Sequence, residues 1–258
     1  MGLVYERRGS GEPLVLLHGI GHRWQAWEPV MGALAERRDV IAVDFPGFGA
    51  SPPLPGGTPY NAQTLADSIE RFCAELGVVK PHVAGNSLGG YVALTLAARG
   101  TVRTATALSP AGFWAGAEAT YARVLLKALR RATEAMPDES IEPAARTWAG
   151  RVVTMGLIVA RPARKTPEAT VADMRGLRDA VGFAETLESF KAVVPPARPK
   201  VPVTIAWGEH DRVLPRRQAV RAAKWSERRV LLLKGCGHVP MSDDPALVAR
   251  VLLDGSAG

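Results

Sequence analysis

The amino-acid sequence predicts an α/β fold, a mostly parallel, doubly wound sheet with a block of helices inserted between two of its strands. Three observations carry this. Short runs that are apolar throughout, such as residues 14–18 (LVLLH) and 40–43 (VIAV), suit strands buried on both faces of a sheet. Amphipathic helical stretches alternate with them, as in a parallel sheet wound through helical crossovers. From residue 113 to residue 194 the pattern is helical, with no strand that would join the sheet.

In chain order, the run 14–18 ends at Gly19 and a polar loop, and a helix is expected over 27–37. The run 40–43 ends at Asp44 and the Pro/Gly-rich FPGFGASPPLPGG, before a helix over 61–76. A strand over 81–84 leads into HVAGNSLGGYVAL, whose second half starts a helix over 88–99, and a strand follows over 102–108. The inserted block reads as helices over 115–131, 141–158, 167–181 and 183–194. It ends in Pro195, Pro196, Pro199 and Pro202, residues that stop helices and mark linkers. Strands over 203–207 and 229–233 and helices over 215–225 and 245–253 complete the series. The division expected is a core of residues 1–112 and 199–258, with a helical cap over 113–198.

Composition narrows the class of partner. Apolar residues make up 47% and charged residues 22%, which suits a globular enzyme and excludes a disordered chain. The net charge of +7 raises nucleic acid and membranes as partners. The basic residues are dispersed, however, with pairs such as Arg130-Arg131 and Arg216-Arg217 set among acidic neighbours. Only 7 of the 32 are lysines, so the excess is arginine on a solvated surface. A small-molecule substrate is expected, with no nucleic acid and no membrane; oligomeric state is not indicated. The N-terminal MGLVYERRGSGEP has no apolar segment of the secretory kind, so a cytoplasmic location is expected. Cys73 falls on the apolar face of the 61–76 helix, and two cysteines in this length make no disulfide framework.

The chemistry concentrates around one serine. Gly85 stands two places before Ser87, and Gly89 and Gly90 follow two and three places after. Strand, G-N-S-L-G-G, then helix is a nucleophile elbow, a turn so tight that side chains at the glycine positions would collide with strand or helix. It holds the hydroxyl above the sheet at a helix N-terminus, where developing negative charge is favoured. A serine needs a base, and of the five histidines only His238, in LKGCGHVPMSDDP, lies in a loop after the last strand. Asp211, in VPVTIAWGEHDRVLP, falls between the two in sequence and ends a strand, so it is the expected orienting acid. Oxyanion donors would be the main-chain amides of Leu88 and of Ile20, with Gly21 as the alternative to Ile20. No metal or organic cofactor is expected.

LVLLHGIG, VIAVDFPGFGASP, GNSLGG, WGEHDRVLP and GCGHVPMSDDP together resemble the α/β-hydrolase superfamily from residue 3 nearly to the C-terminus. The resemblance implies an α/β-hydrolase fold whose cap shapes the substrate pocket. His18 is expected to be an architectural buried imidazole hydrogen-bonding nearby loops, and Asp44 to bond backbone amides in its turn, as short acidic side chains do. Dehalogenases and epoxide hydrolases of the superfamily carry Asp where this chain has Ser87, which points away from both. Carbon–carbon bond hydrolases resemble H-G-x-G-P-G followed later by His-Trp; here the stretches read HGIGHR and His238-Val239. The expected activity is cleavage of a carboxylic ester or related acyl bond of a small, largely apolar substrate. A carbon–carbon hydrolase, lactonase or cofactor-free lyase on the same residues, or a non-catalytic receptor, are the alternatives. His22, Arg23, Trp24 and Trp27 either line the pocket or pack beneath it. Gly21, Trp24, Phe113, Trp114, Trp148, Met155 and Val239 are the substrate-binding candidates. The chain also begins inside what would be the family's first hairpin, so an edge strand is expected to be missing.

Overall fold

The computed structural model describes residues 2–257. Among them, one sheet is built from β1 (Tyr5–Arg8), β2 (Pro13–Leu17), β3 (Asp39–Val43), β4 (His82–Asn86), β5 (Thr104–Leu108), β6 (Val203–Gly208) and β7 (Leu231–Leu233). The spatial order is β1-β3-β2-β4-β5-β6-β7, with only β1 antiparallel. The six strands read from sequence are all formed. The antiparallel edge strand is β1, paired Tyr5 to Val43 through Arg8 to Val40, and no strand precedes it among the described residues. Its YERR has no apolar pattern because it lies half in solvent at the sheet edge.

Helices α1 (Glu28–Ala35), α2 (Ala62–Glu75) and α3 (Leu88–Arg99) connect the first strands. Between β5 and β6 come α4 (Glu118–Glu134), α5 (Asp138–Arg146), α6 (Trp148–Met155), α7 (Pro167–Asp179) and α8 (Phe183–Ser189). After β6 come α9 (Arg217–Ser226), α10 (Pro240–Asp243) and α11 (Pro245–Gly255). The helix read over 141–158 is two helices. Thr147 turns extended (ψ 145°) and its side chain accepts from the Gly150 amide, ending α5 and starting α6.

Alternation along the strands sorts the core into two layers. Val15, Leu17, Ile41, Val43 and Val83 pack toward α2 and α3. Leu14, Leu16, Val40, Ala42 and Ala84 pack toward α1 and α11. Helices therefore cover both faces, which is why the strands read as unbroken apolar runs. Successive connections from β2 lead outward to β3 and then back across to β4. That reversal places the loops after β2 and β4 side by side at the carboxyl edge of the sheet, where ligands of open α/β sheets bind. The inserted helices have a small core of their own, Ile141, Met155, Val159 and Met174. Cys73 and Cys236 are both buried and unbridged.

His18, at the end of β2, joins two of these loops. It is fully buried, with Nδ1 2.7 Å from the Gly19 carbonyl and Nε2 accepting from the Phe45 amide at 3.0 Å. Burial pushes its pKa down to about 3, and neighbouring His22 pushes the same way. The unfolded chain therefore takes up a proton near pH 6.5 that the folded chain refuses until about pH 3. Stability is full above pH 6.5 and falls as pH drops below it, by about 1.4 kcal/mol per unit for this one group. Urea unfolding is expected to show a loss of about 2 kcal/mol between pH 7 and pH 5. A midpoint that does not move over that range would contradict a neutral buried His18.

Candidate active site

Ser87 sits between β4 and α3 with φ +55° and ψ −113°, a conformation that L-residues rarely adopt. The flanking glycines explain how the chain permits it. A Cβ at Gly85 would overlap the Gly89 carbonyl in α3, and one at Gly89 would overlap the Leu17 and His18 carbonyls at the end of β2. Gly90 lets the helix approach Pro110, where a Cβ would come within 3.1–3.2 Å.

His238 and Asp211 arrive on neighbouring loops, which close packing at Gly208 and Gly237 brings together. His238 Nδ1 lies 2.8 Å from Asp211 Oδ2, and the Asp211 side chain is wholly buried. Asp211 Oδ1 accepts from the amides of Val213 (2.9 Å) and Leu214 (2.8 Å), which fixes the carboxylate plane. His210 is half exposed next door, and Glu209 instead accepts from the Gly235 amide, so neither competes for this position. Asn86, just before Ser87, donates to the His238 carbonyl at 2.9 Å and to that of Leu108 at 3.2 Å.

Ser87, His238, Ile20 and Gly21 open on one cavity of about 150 Å³. Ser87 Oγ has no hydrogen-bond partner among the described residues, which leaves the hydroxyl free to turn toward an incoming group. The amides of Ile20 and Leu88 likewise have no acceptor there. The loop after β2 is packed against α7. The carbonyl of Gly21 meets Gly176 of α7, and a Cβ on Gly21 (φ +75°) would strike Leu177.

Most of the cavity wall is apolar and comes from α4, α6 and α7 (Leu126, Leu129, Met155, Met174, Leu177). Gly21 and Met155, read from sequence as substrate-binding, are part of it; five others are not. Trp148 starts α6 and is 68% exposed. Phe113 is buried edge-on against Trp225, with ring centroids 5.4 Å apart. Trp114 donates to the Val193 carbonyl and leans on Phe190. Trp24 packs on the core under α1, and Val239 is buried with its amide on the Ile158 carbonyl. Aromatics at helical spacing do not reveal which way the helix is rotated, and here most serve the core. Of the residues left between lining and packing, His22 lines the cavity and Trp27 is fully buried beneath it.

Four polar residues around the site carried no signal of their own in the sequence. They are Asn86, Asp173, Lys165 and Asp243. Asp243 accepts from the amides of Gly237 (2.7 Å), Ala160 (3.0 Å) and Arg161 (2.7 Å), tying the His238 loop to the inserted helices. Asp173 pairs with Lys165 at 2.9 Å, both side chains nearly buried. Asp44 accepts from the amides of Trp24 (2.6 Å) and Ala50 (2.9 Å), and burial pushes its pKa up.

Comparison with known proteins agrees with this architecture. An epoxide hydrolase, EphH, of Mycobacterium tuberculosis is 30% identical over 203 residues, covering 74% of this chain and 93% of that protein. A pimeloyl-[acyl-carrier protein] methyl ester esterase of Aeromonas hydrophila is 43% identical over 97 residues, 38% of this chain and 36% of its own length. Among solved structures, a membrane phospholipase A described as a bacterial virulence factor superposes with a TM-score of 0.76 at 27% identity, over 98% of this chain and 83% of that one. The profile of the alpha/beta hydrolase family matches residues 14–251. With that match spanning nearly the whole sheet and every loop of the cavity, the chain belongs to the alpha/beta hydrolase family.

Proposed function

We propose that the protein is a serine hydrolase that cleaves a carboxylic ester, or a related acyl bond, of a small and largely apolar substrate. The observation that carries this is the 2.8 Å contact between His238 Nδ1 and a fixed, buried Asp211, at the cavity onto which Ser87 opens. His238 takes the Ser87 proton as Oγ attacks the carbonyl carbon. The tetrahedral oxyanion rests on the Leu88 and Ile20 amides. His238 returns the proton to the leaving alcohol as the carbon–oxygen bond breaks. Water, deprotonated by the same imidazole, then attacks the acyl-Ser87 carbonyl and releases the acid. Asp211 holds the imidazole tautomer and stabilises imidazolium without taking the proton. The inserted helices act as the cap and supply the apolar wall.

The relatives divide on the bond cleaved, and a serine nucleophile favours the ester side of that division. A carboxylate that opens an epoxide forms an ester, which water clears at its own carbonyl. Ser87 would form an ether, which has no carbonyl for water to attack, so turnover would stop after one cycle. The esterase and phospholipase among the relatives cleave bonds that a serine can turn over.

A fluorophosphonate probe followed by peptide mapping is expected to label Ser87, and p-nitrophenyl esters of short acids are expected to turn over. Absence of label on folded protein would sink the hydrolase reading in favour of a receptor. Turnover of vinylogous diketones with no ester hydrolysed at any chain length would make the protein a carbon–carbon hydrolase instead.

A further inference from the structure

The cavity has a polar flank that the acyl-transfer chemistry does not use. The point a Cβ on Gly19 would occupy lies 3.4 Å from Ser87 Cβ, 3.4 Å from Asn86 Oδ1 and 3.5 Å from His22 Nδ1. Both of those polar atoms are buried with no hydrogen-bond partner, although Asn86 Nδ2 is fully engaged. Asp173 is the one carboxylate among the lining residues. Its Oδ2 is paired with Lys165, whose Nζ also reaches Ser242 Oγ at 3.3 Å. The two threonines of the wall are already engaged, since Thr133 and Thr154 donate to carbonyls of their own helices at 2.7 and 2.8 Å.

Burying an ion pair costs more than its attraction returns unless its remaining valences are used. Orphaned buried polar atoms add a further penalty. Grouped beside a nucleophile, they mark a place where a ligand atom completes the set. Resting on the acyl-transfer reading for which end of the substrate enters, we propose that the cavity selects an acyl group carrying a hydroxyl close to the scissile carbonyl. Asp173 accepts from that hydroxyl, and His22 and Asn86 complete its surroundings.

Charge and volume argue for this chemistry over its neighbours. Asn86 Oδ1 and the Asp173 carboxylate only accept, and a neutral His22 Nδ1 does either according to its tautomer, so the flank calls for a group that can donate. Asp173 with Lys165 is neutral as a pair, so an ammonium would be buried without a counter-charge, and a second carboxylate would face Asp173 directly. Burial pulls the His22 pKa down, with Asp173 acting against that and Lys165 and His238 with it, so the imidazole adds no cation. A hydroxyl meets every condition. At about 150 Å³, the space matches cavities that take a single aromatic ring, so the acyl part is of about that size.

The test reads binding rather than turnover. In Ser87→Ala, calorimetry compares methyl hexanoate with its 2-, 3- and 4-hydroxy counterparts. At least one hydroxy ester is expected to bind about tenfold tighter than methyl hexanoate or better. Adding Asp173→Asn, which keeps one acceptor oxygen, is expected to leave part of that preference. Replacing the pair together, Lys165→Met with Asp173→Leu, is expected to bring the ratio near one in protein whose circular dichroism shows it folded. The proposal is overturned if no hydroxy ester exceeds methyl hexanoate by twofold, if no ester binds, or if the preference survives the joint Lys165→Met and Asp173→Leu replacement. Preference for a hydroxy ester in a protein whose wild type neither labels nor turns over would keep the subsite and sink the hydrolase reading.

Discussion

Replacing Ser87 with alanine is expected to lower kcat for ester hydrolysis by roughly 10⁴- to 10⁶-fold, with little change in melting temperature. The hydroxyl has no hydrogen-bond partner among the described residues, so its removal orphans nothing in the fold. The magnitude follows from what is lost. Without Oγ there is no acyl-enzyme, and what rate survives comes from water attacking a substrate held by the oxyanion amides. Because Ser87 and His238 would act as one unit, the double variant Ser87→Ala/His238→Ala is expected to be no slower than either single variant. Asp211→Asn is expected to cost about 10⁴, because its amide would favour the wrong imidazole tautomer. Stopped assays with a p-nitrophenyl ester measure all of these. Retention of more than a hundredth of the rate in Ser87→Ala would remove the serine from the chemistry. The elbow also makes a prediction about strain. Ser87→Gly relieves a φ of +55° and is expected to raise stability while it abolishes activity.

The second large effect is on folding. Gly89→Ala is expected to lower stability by about 3 kcal/mol or more, above the usual range for overpacked cores. The added methyl would meet main-chain carbonyls of Leu17 and His18 rather than a side chain able to rotate away. For a chain of this size the melting temperature should fall by roughly 10 °C. Gly85→Ala meets the Gly89 carbonyl in the same way. Gly32 supplies the contrast. It lies inside α1 with nothing within 4 Å of the added atom, so Gly32→Ala is expected to stabilise by up to about 1 kcal/mol. Thermal scans of Gly32→Ala and Gly89→Ala side by side would decide the matter; equal shifts would mean that the elbow is not tightly packed.

The sheet was legible because its strands are covered on both faces and so announce themselves as apolar runs; β1 escaped because half of YERR faces water. The elbow was legible because steric exclusion writes itself into sequence as glycine. Asp211 and His238 were legible because each follows a strand end in a fixed chain order. Residues whose meaning exists only across the fold were not. Asp173 and His22 stand 151 positions apart in the sequence, and they share a wall only because α7 lies over the loop after β2. Trp148 looked like a pocket aromatic, but the break at Thr147 turned it outward.

The triple acceptance by Asp243, together with the Val239 amide on Ile158, bolts residues 158–161 to the loop that carries the imidazole. The roof is thus anchored at one corner, the one beside His238. Val153 of α6 both borders the space and stands 82% in solvent, so the wall there is one side chain thick. A guest that reaches the chamber therefore meets an imidazole whose loop is already pinned from above.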